Sequence, residues 1–465
     1  MKKLCFLLLC SLQMTAQEFS VQKGVVMDSI SVSDTLSEEF ALYLPSSYET
    51  GKKYPVLLLF DGQGRGKTTA HLFSRAAERQ GYILVSSNDI NPEHDFLSNA
   101  QKGVRLLNRV LELGLADLRQ ISVSGSNGGA KVATSIPLIY KNIHGVIAVG
   151  DQWVNFDLVD RKRDFYFIGV VGDEQFTSAE MNLTAEIFEE LEFPSTVYVY
   201  EGQDDWPEPA LISSAVGSLT LQAMREGLRP ADQELVRELY ENDMGLVDMM
   251  ISNGRLLNAF DLLEIMEEKY RGFLDTDAVD KKMDQLQDSR NFREQRRDQR
   301  EVLEKERRLM SDFVYYLYED VRTENFENLG WWNYQKNQLD SLAAGSGPES
   351  RMAERLKGFI PELARMAIED IEKEKGSLES RLIAHIIRTI FDPRAFDSYK
   401  KIISLSAMDN DFGTALFYLE EMLKHGYRDK EALYEIEGTL GLKLTQDYNK
   451  IIERYFGSAK YYDHN

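Results

Sequence analysis

The apolar and polar positions along the chain change character once, near residue 229. Upstream, short apolar or alternating runs are divided by stretches of helical spacing. EEFALYLP (38–45), YPVLLLF (54–60), GYILVSS (81–87), RQISVSG (119–125), HGVIAVG (144–150), DFYFIGVVG (164–172) and STVYVYEG (195–202) read as strands. The early stretch 18–32 predicts one or two further antiparallel strands. The runs at 54–60, 144–150 and 164–172 are apolar at nearly every position, as strands buried on both faces must be. Between them, KTTAHLFSRAAERQ, AQKGVRLLNRVLELG, GAKVATSIPLIY and SAEMNLTAEIFEELE carry apolar residues every three or four positions. This alternation predicts an α/β domain over 17–228, a mostly parallel sheet flanked by helices.

From Pro230 the strand pattern stops. ADQELVRELYENDM, LLNAFDLLEIMEEKYRGFL and REVLEKERRLMSDFVYYLYEDV have helical periodicity, and the expectation for 229–465 is an all-α domain. The charged run 280–308 reads as a solvated helix face, because acidic residues interleave its arginines. SLAAGSGPES (341–350) reads as a loop between helical subunits. The aromatic stripes, including Trp331, Trp332 and Tyr315–Tyr316, are expected in the core. DFGTALFYLEEMLKHGY (411–427) and the segment after it resemble the last unit of a tetratricopeptide-type array.

The N-terminus alters the picture of where such a chain works. MKKLCFLLLCSLQMTAQ has two lysines, a short apolar stretch and a small residue at Ala16, the pattern of a secretory signal peptide over 1–16. It is too short to span a membrane, and no later segment is apolar enough to do so. The protein is therefore expected to be exported: periplasmic, cell-surface or secreted. Both cysteines, Cys5 and Cys10, lie inside that leader, so the mature chain relies on core burial rather than disulfides. The formal net charge of −22 disfavours nucleic acid and anionic lipid as partners.

Two glycine-rich loops carry the candidate chemistry. LLLFDGQGRGKTT (57–69) ends in Gly66-Lys67-Thr68, close to a phosphate-binding loop. That motif needs a glycine five positions before Gly66, and Asp61 stands there, placing a negative charge where phosphate would approach. The same loop is where an esterase sets its oxyanion amides. ISVSGSNGGAKVA (121–133) is a strand, a tight turn and a helix start, the form of a nucleophile elbow.

Residues 38–226 resemble exported carboxylesterases of the α/β-hydrolase superfamily, related to polyhydroxyalkanoate depolymerases and feruloyl esterases. The resemblance implies an oxyanion loop with Gly62, Gln63 and Gly128, and no cofactor or metal. It also implies a serine at the elbow, a histidine base and an acid. Aligned without gaps, the elbow is Gly125-Ser126-Asn127-Gly128-Gly129-Ala130-Lys131-Val132-Ala133, which puts Asn127 at the nucleophile position. A shift of one residue makes Ser126 the alternative nucleophile. The histidine motif G-x-H-x-W-P reads Gly202-Gln203-Asp204-Asp205-Trp206-Pro207, with Asp204 at the histidine position. The acid is Asp173. An amide cannot attack an ester, and an acid that orients a missing base has no catalytic role.

Three functional readings follow. One is an esterase-like protein with a degenerate triad, acting as a binding or scaffold module. It would take a small acyl or aromatic ester ligand and a protein partner on the helical domain. A second is an active carboxylesterase using Ser126, and a third a nucleotide hydrolase using Gly66-Lys67-Thr68. The acids Asp173, Glu174, Asp204 and Asp205 also raise the question of a bound cation.

Overall fold

The computed structural model describes residues 22–159 and 165–461. The leader expected at 1–16 and His464 lie outside the described residues. Eight strands form one sheet: β1 (Val26–Ser31), β2 (Glu39–Tyr43), β3 (Tyr54–Asp61), β4 (Ile83–Ser87), β5 (Ala116–Ser126), β6 (Ile143–Val149), β7 (Tyr166–Gly172) and β8 (Ser195–Tyr200). Their order is β1-β2-β4-β3-β5-β6-β7-β8. β2 runs antiparallel to β1 and β4, and every other pair is parallel. This is an α/β-hydrolase-type sheet. The stretch 18–32 contributes one antiparallel strand within the described residues.

Helices α1 (Gly66–Gln80), α2 (Phe96–Leu113), α3 (Gly128–Ile139), α4 (Ser178–Glu190) and α5 (Pro209–Arg225) cover the sheet. Strand side chains alternate between faces, so β3 sends Leu57 and Leu59 to one core and Val56, Leu58 and Phe60 to the other. The first core lies under α1 and α5, the second under α2, α3 and α4.

The helix-rich remainder comprises α6 (Gln233–Ser252), α7 (Leu256–Tyr270), α8 (Asp277–Asp288), α9 (Arg290–Thr323), α10 (Leu329–Ala343), α11 (Pro348–Glu374), α12 (Leu378–Phe391), α13 (Phe396–Met408), α14 (Phe412–Lys424), α15 (Lys430–Glu435), α16 (Leu440–Lys443) and α17 (Gln446–Phe456). The core beneath α1 and α5 continues through Val236, Leu263 and Met266 to Phe292, so α6 to α8 are packed onto the sheet. A buried ion pair pins α6 and α7 to α5. Lys269 Nζ donates to Asp243 Oδ2 and to the Ser214 carbonyl at 2.8 Å each, and the Tyr270 hydroxyl also donates to Asp243. Such a pair is held in place because either charge alone would be uncompensated.

Two details depart from the expected pattern. The charged run 280–308 is broken between α8 and α9 at Ser289, whose side chain caps α9 by accepting from the Phe292 amide. Among the aromatics, Trp332 is core, but Tyr315 is 62% and Tyr316 40% exposed. The reason is helical phase: Phe313 and Leu317 occupy the inward stripe of α9, and Tyr315 and Tyr316 fall outside it.

Candidate functional site

β5 ends in a turn whose shape depends on two glycines. A Cβ on Gly125 would stand 2.2 Å from the Gly129 carbonyl oxygen, and one on Gly129 would stand 2.0 Å from that of Phe60. Gly128, by contrast, has open space around it. The sterically required glycines therefore lie two residues before and two after Asn127, which makes Asn127 the centre of the turn. Its backbone has φ 49° and ψ −120°, outside the regions that L-residues favour. Holding such a conformation costs about 1–3 kcal/mol, and it is the strain of a strand-to-helix elbow. Ser126 is the last residue of β5. It pairs with Asp61 of β3 and Val149 of β6, is 1% exposed, and its hydroxyl has no partner among the described residues.

The loop after β3 lies against this turn. A Cβ on Gly62 would meet the Ser126 carbonyl oxygen at 2.9 Å and the Gly128 nitrogen at 3.2 Å, so glycine permits the approach. The loop's donors are turned inward onto Asp61. Its Oδ1 accepts from the Gln63 amide at 2.8 Å and Arg65 Nε at 3.0 Å. Oδ2 accepts from Arg65 Nη2 at 2.9 Å and from the Trp206 indole at 2.7 Å. Burial raises the pKa of this carboxyl, but the bonds from Arg65, Trp206 and the Gln63 amide outweigh it and hold the group below its ordinary value. An internal carboxylate thus occupies the place where a phosphate loop would cradle its anion. Gly66 is pressed onto the strand end after β4, and Lys67 is exposed and 3.8 Å from Asp28.

The group facing Asn127 is Asp205. Asn127 Nδ2 donates to Asp205 Oδ1 at 2.7 Å, and Arg65 Nη2 donates to Asp205 Oδ2 at 2.6 Å. Asp204, the residue aligned with the histidine, instead offers its carbonyl to the Tyr200 hydroxyl at 2.5 Å. The contact falls one residue on because Trp206 is anchored on Asp61, which draws the preceding carboxylate over the elbow. A continuous lattice results: Asn127, Asp205, Arg65, Asp61 and Trp206.

Asp173 is tied elsewhere. Its Oδ1 accepts from the Gly202 amide at 2.9 Å, and its Oδ2 from Arg255 at 2.5 Å, with Arg351 at 3.5 Å. Arg355 donates to the Asp173 carbonyl and forks onto Glu306, with contacts of 2.8 and 2.6 Å. Arg255 precedes α7, and Arg351 and Arg355 belong to α11, so the helical region reaches the strand end through this acid. Its neighbour Glu174 is raised by burial and by the charge of Asp173. Among the described residues, no group of three or more His, Cys, Asp or Glu side chains is arranged to hold a metal ion.

None of the described histidines bonds to Ser126 or Asn127. His94 sits 2.9 Å from Lys102 Nζ, and His144 lies 3.3 Å from Glu226. His385 is buried beside Ser398 in the helical region, where burial lowers it to about 4. The functional residues that sequence reasoning missed are Arg65, Arg255, Arg351 and Arg355. Only Arg65 left a local signal, four residues after Asp61.

No family model matches the chain, and no curated protein does. Among solved structures, an esterase from Pyrobaculum calidifontis is 14% identical, with 43% of this chain and 86% of that one covered at a TM-score of 0.36. FphF, a fluorophosphonate-binding serine hydrolase of Staphylococcus aureus, is 12% identical, with coverage of 42% and 97% and a TM-score of 0.34. A putative dipeptidyl aminopeptidase IV from Bacteroides ovatus is 12% identical, with coverage of 43% and 35% and a TM-score of 0.35. The strand order itself defines the α/β-hydrolase-type sheet. Among the described residues no helix is long and apolar enough to cross a membrane.

Proposed function

We propose that this chain is an exported α/β-hydrolase-fold protein whose esterase centre is inactive and which serves as a binding or scaffold protein. One observation carries the reading: Asn127 stands at the centre of the elbow with its amide on Asp205. An amide is no nucleophile, and the Asp205 carboxylate, already paired with Arg65, is a poor base for a hydroxyl. The Gln63 amide, a candidate oxyanion donor, is spent on Asp61. The ligand class proposed for the sheet's carboxyl edge remains a small acyl or aromatic ester. Exposed Tyr315, Tyr316 and Tyr334 support the helical region as the surface for a protein partner.

The competing reading is a working carboxylesterase using Ser126. Purified protein is assayed at neutral pH on p-nitrophenyl acetate and butyrate beside Ser126→Ala and Asn127→Ser. The expected result is equal, near-background rates for all three, with no labelling of Ser126 by a fluorophosphonate. Asn127→Ser alone restores little, because none of the described histidines adjoins it. Turnover tenfold or more above Ser126→Ala, or covalent labelling of Ser126, overturns the proposal and establishes the esterase.

A further inference from the structure

β8 is the last strand at one side of the sheet, with β7 as its single neighbour. In their parallel ladder the Phe167 and Asp173 amides donate to the Pro194 and Tyr200 carbonyls, each at 2.9 Å. Residues of a parallel strand alternate between bonding such a neighbour and facing away from it. The even-numbered residues of β8 therefore turn to β7, and the amides and carbonyls of Val197 and Val199 point outward. They have no hydrogen-bond partner among the described residues. An edge of this kind is normally covered or blunted.

Here the cover is incomplete. A cleft of about 670 Å³ lies where α4, α7 and α9 converge on this edge, with Val199 in its wall. Its size falls within the roughly 300–1,000 Å³ common for ligand pockets. Leu183, Leu257, Phe260 and Leu303 give it an apolar lining. Asp261 and Glu264 on α7 contribute negative charge, while Arg296 and Arg307 on α9 contribute positive charge. None of these four has an ion-pair partner among the described residues, unlike Arg351 and Arg355 at the cleft's inner end. Arg296 and Arg307 are eleven residues apart on one helix, about 16 Å. About five residues of extended chain span the same distance.

We propose that this cleft binds a short extended peptide, which adds to the sheet as a strand beside β8. The peptide is apolar in its middle and carries an acidic group for Arg296 or Arg307 and a basic group for Asp261 or Glu264. Backbone bonds to Val199, the β8 residue in the cleft's wall, supply binding common to any sequence, and the cleft's charges choose among sequences. This site is separate from the elbow and does not depend on whether the elbow is active.

The test uses the full chain and a fluorescein-labelled peptide, Lys-Val-Leu-Val-Leu-Glu, followed by fluorescence anisotropy and by hydrogen exchange of segment 195–201. Expected are saturable binding and slowed exchange in that segment. Methylating alternate backbone nitrogens of the peptide weakens binding tenfold or more. Arg307→Glu and Asp261→Lys each weaken it severalfold, and Arg307→Glu leaves Tm unchanged, since its side chain is exposed. Absence of saturable binding, equal binding of the methylated peptide, or binding that leaves 195–201 unprotected each overturns the proposal.

Discussion

Two carboxylates stand at strand ends on the same edge of the sheet, and they are neutralised in opposite ways. Asp61, the last residue of β3, is met by Arg65 four residues on and by the Trp206 indole. Asp173, after β7, is met by Arg255 and Arg351, which belong to the helical region. The first arrangement is mostly local and closes the esterase-like centre on itself. The second turns an acid at the triad position into an attachment point for another part of the chain. The first takes up the Gln63 amide and the second the acid at the triad position, but only the second joins the sheet to the helical region.

The comparison can be broken by removing each acid in turn. Asp61 is 1% exposed, so Asp61→Ala strands the partly buried Trp206 indole donor and part of Arg65. A loss of about 3–5 kcal/mol in chemical denaturation is expected. The pKa of Asp61 is depressed in the folded state, so its contribution is present above its unfolded value near 3.9 and fades as pH falls through the lower folded value. The gap between wild type and Asp61→Asn should accordingly narrow below about pH 4. A gap that stays constant down to pH 2 removes the ion pair as its cause.

Asp173→Ala is expected to cost less, about 2–3 kcal/mol, because Arg355 keeps Glu306 and Arg255 keeps Glu201. Its distinguishing mark is location. Limited proteolysis should open the helical region in Asp173→Ala and leave it intact in Asp61→Ala. Equal cleavage in both variants collapses the contrast between local closure and long-range attachment.

Asp205→Ala gives the smallest effect. Its side chain is 39% exposed, and Arg65 retains Asp61, so a change below about 1 kcal/mol is expected. A loss above 2 kcal/mol would mean that the bond to Asn127 supports the strained elbow more than its exposure suggests.

The sheet could be read from the sequence, which also narrowed the centre of the elbow to Asn127 or its neighbour Ser126. Runs such as YPVLLLF have one apolar solution as strands buried on both faces, and β3 forms there. Gly125 and Gly129 flank Asn127 in the text of the chain, and the close approach of β5, α3 and β3 is the reason glycine stands at both places. The phase of α9 was less legible. VYYLY reads as apolar throughout, and only the neighbours of α9 decide that Leu317 is inside and Tyr315 outside. What the tertiary structure alone decided is which acid meets which cation. Asp204 and Asp205 are adjacent and chemically alike, and the anchoring of Trp206 on Asp61 selects between them. Arg351 lies 178 residues beyond Asp173. No local pattern encodes that contact, because ion pairing depends on distance in space and helix packing sets that distance.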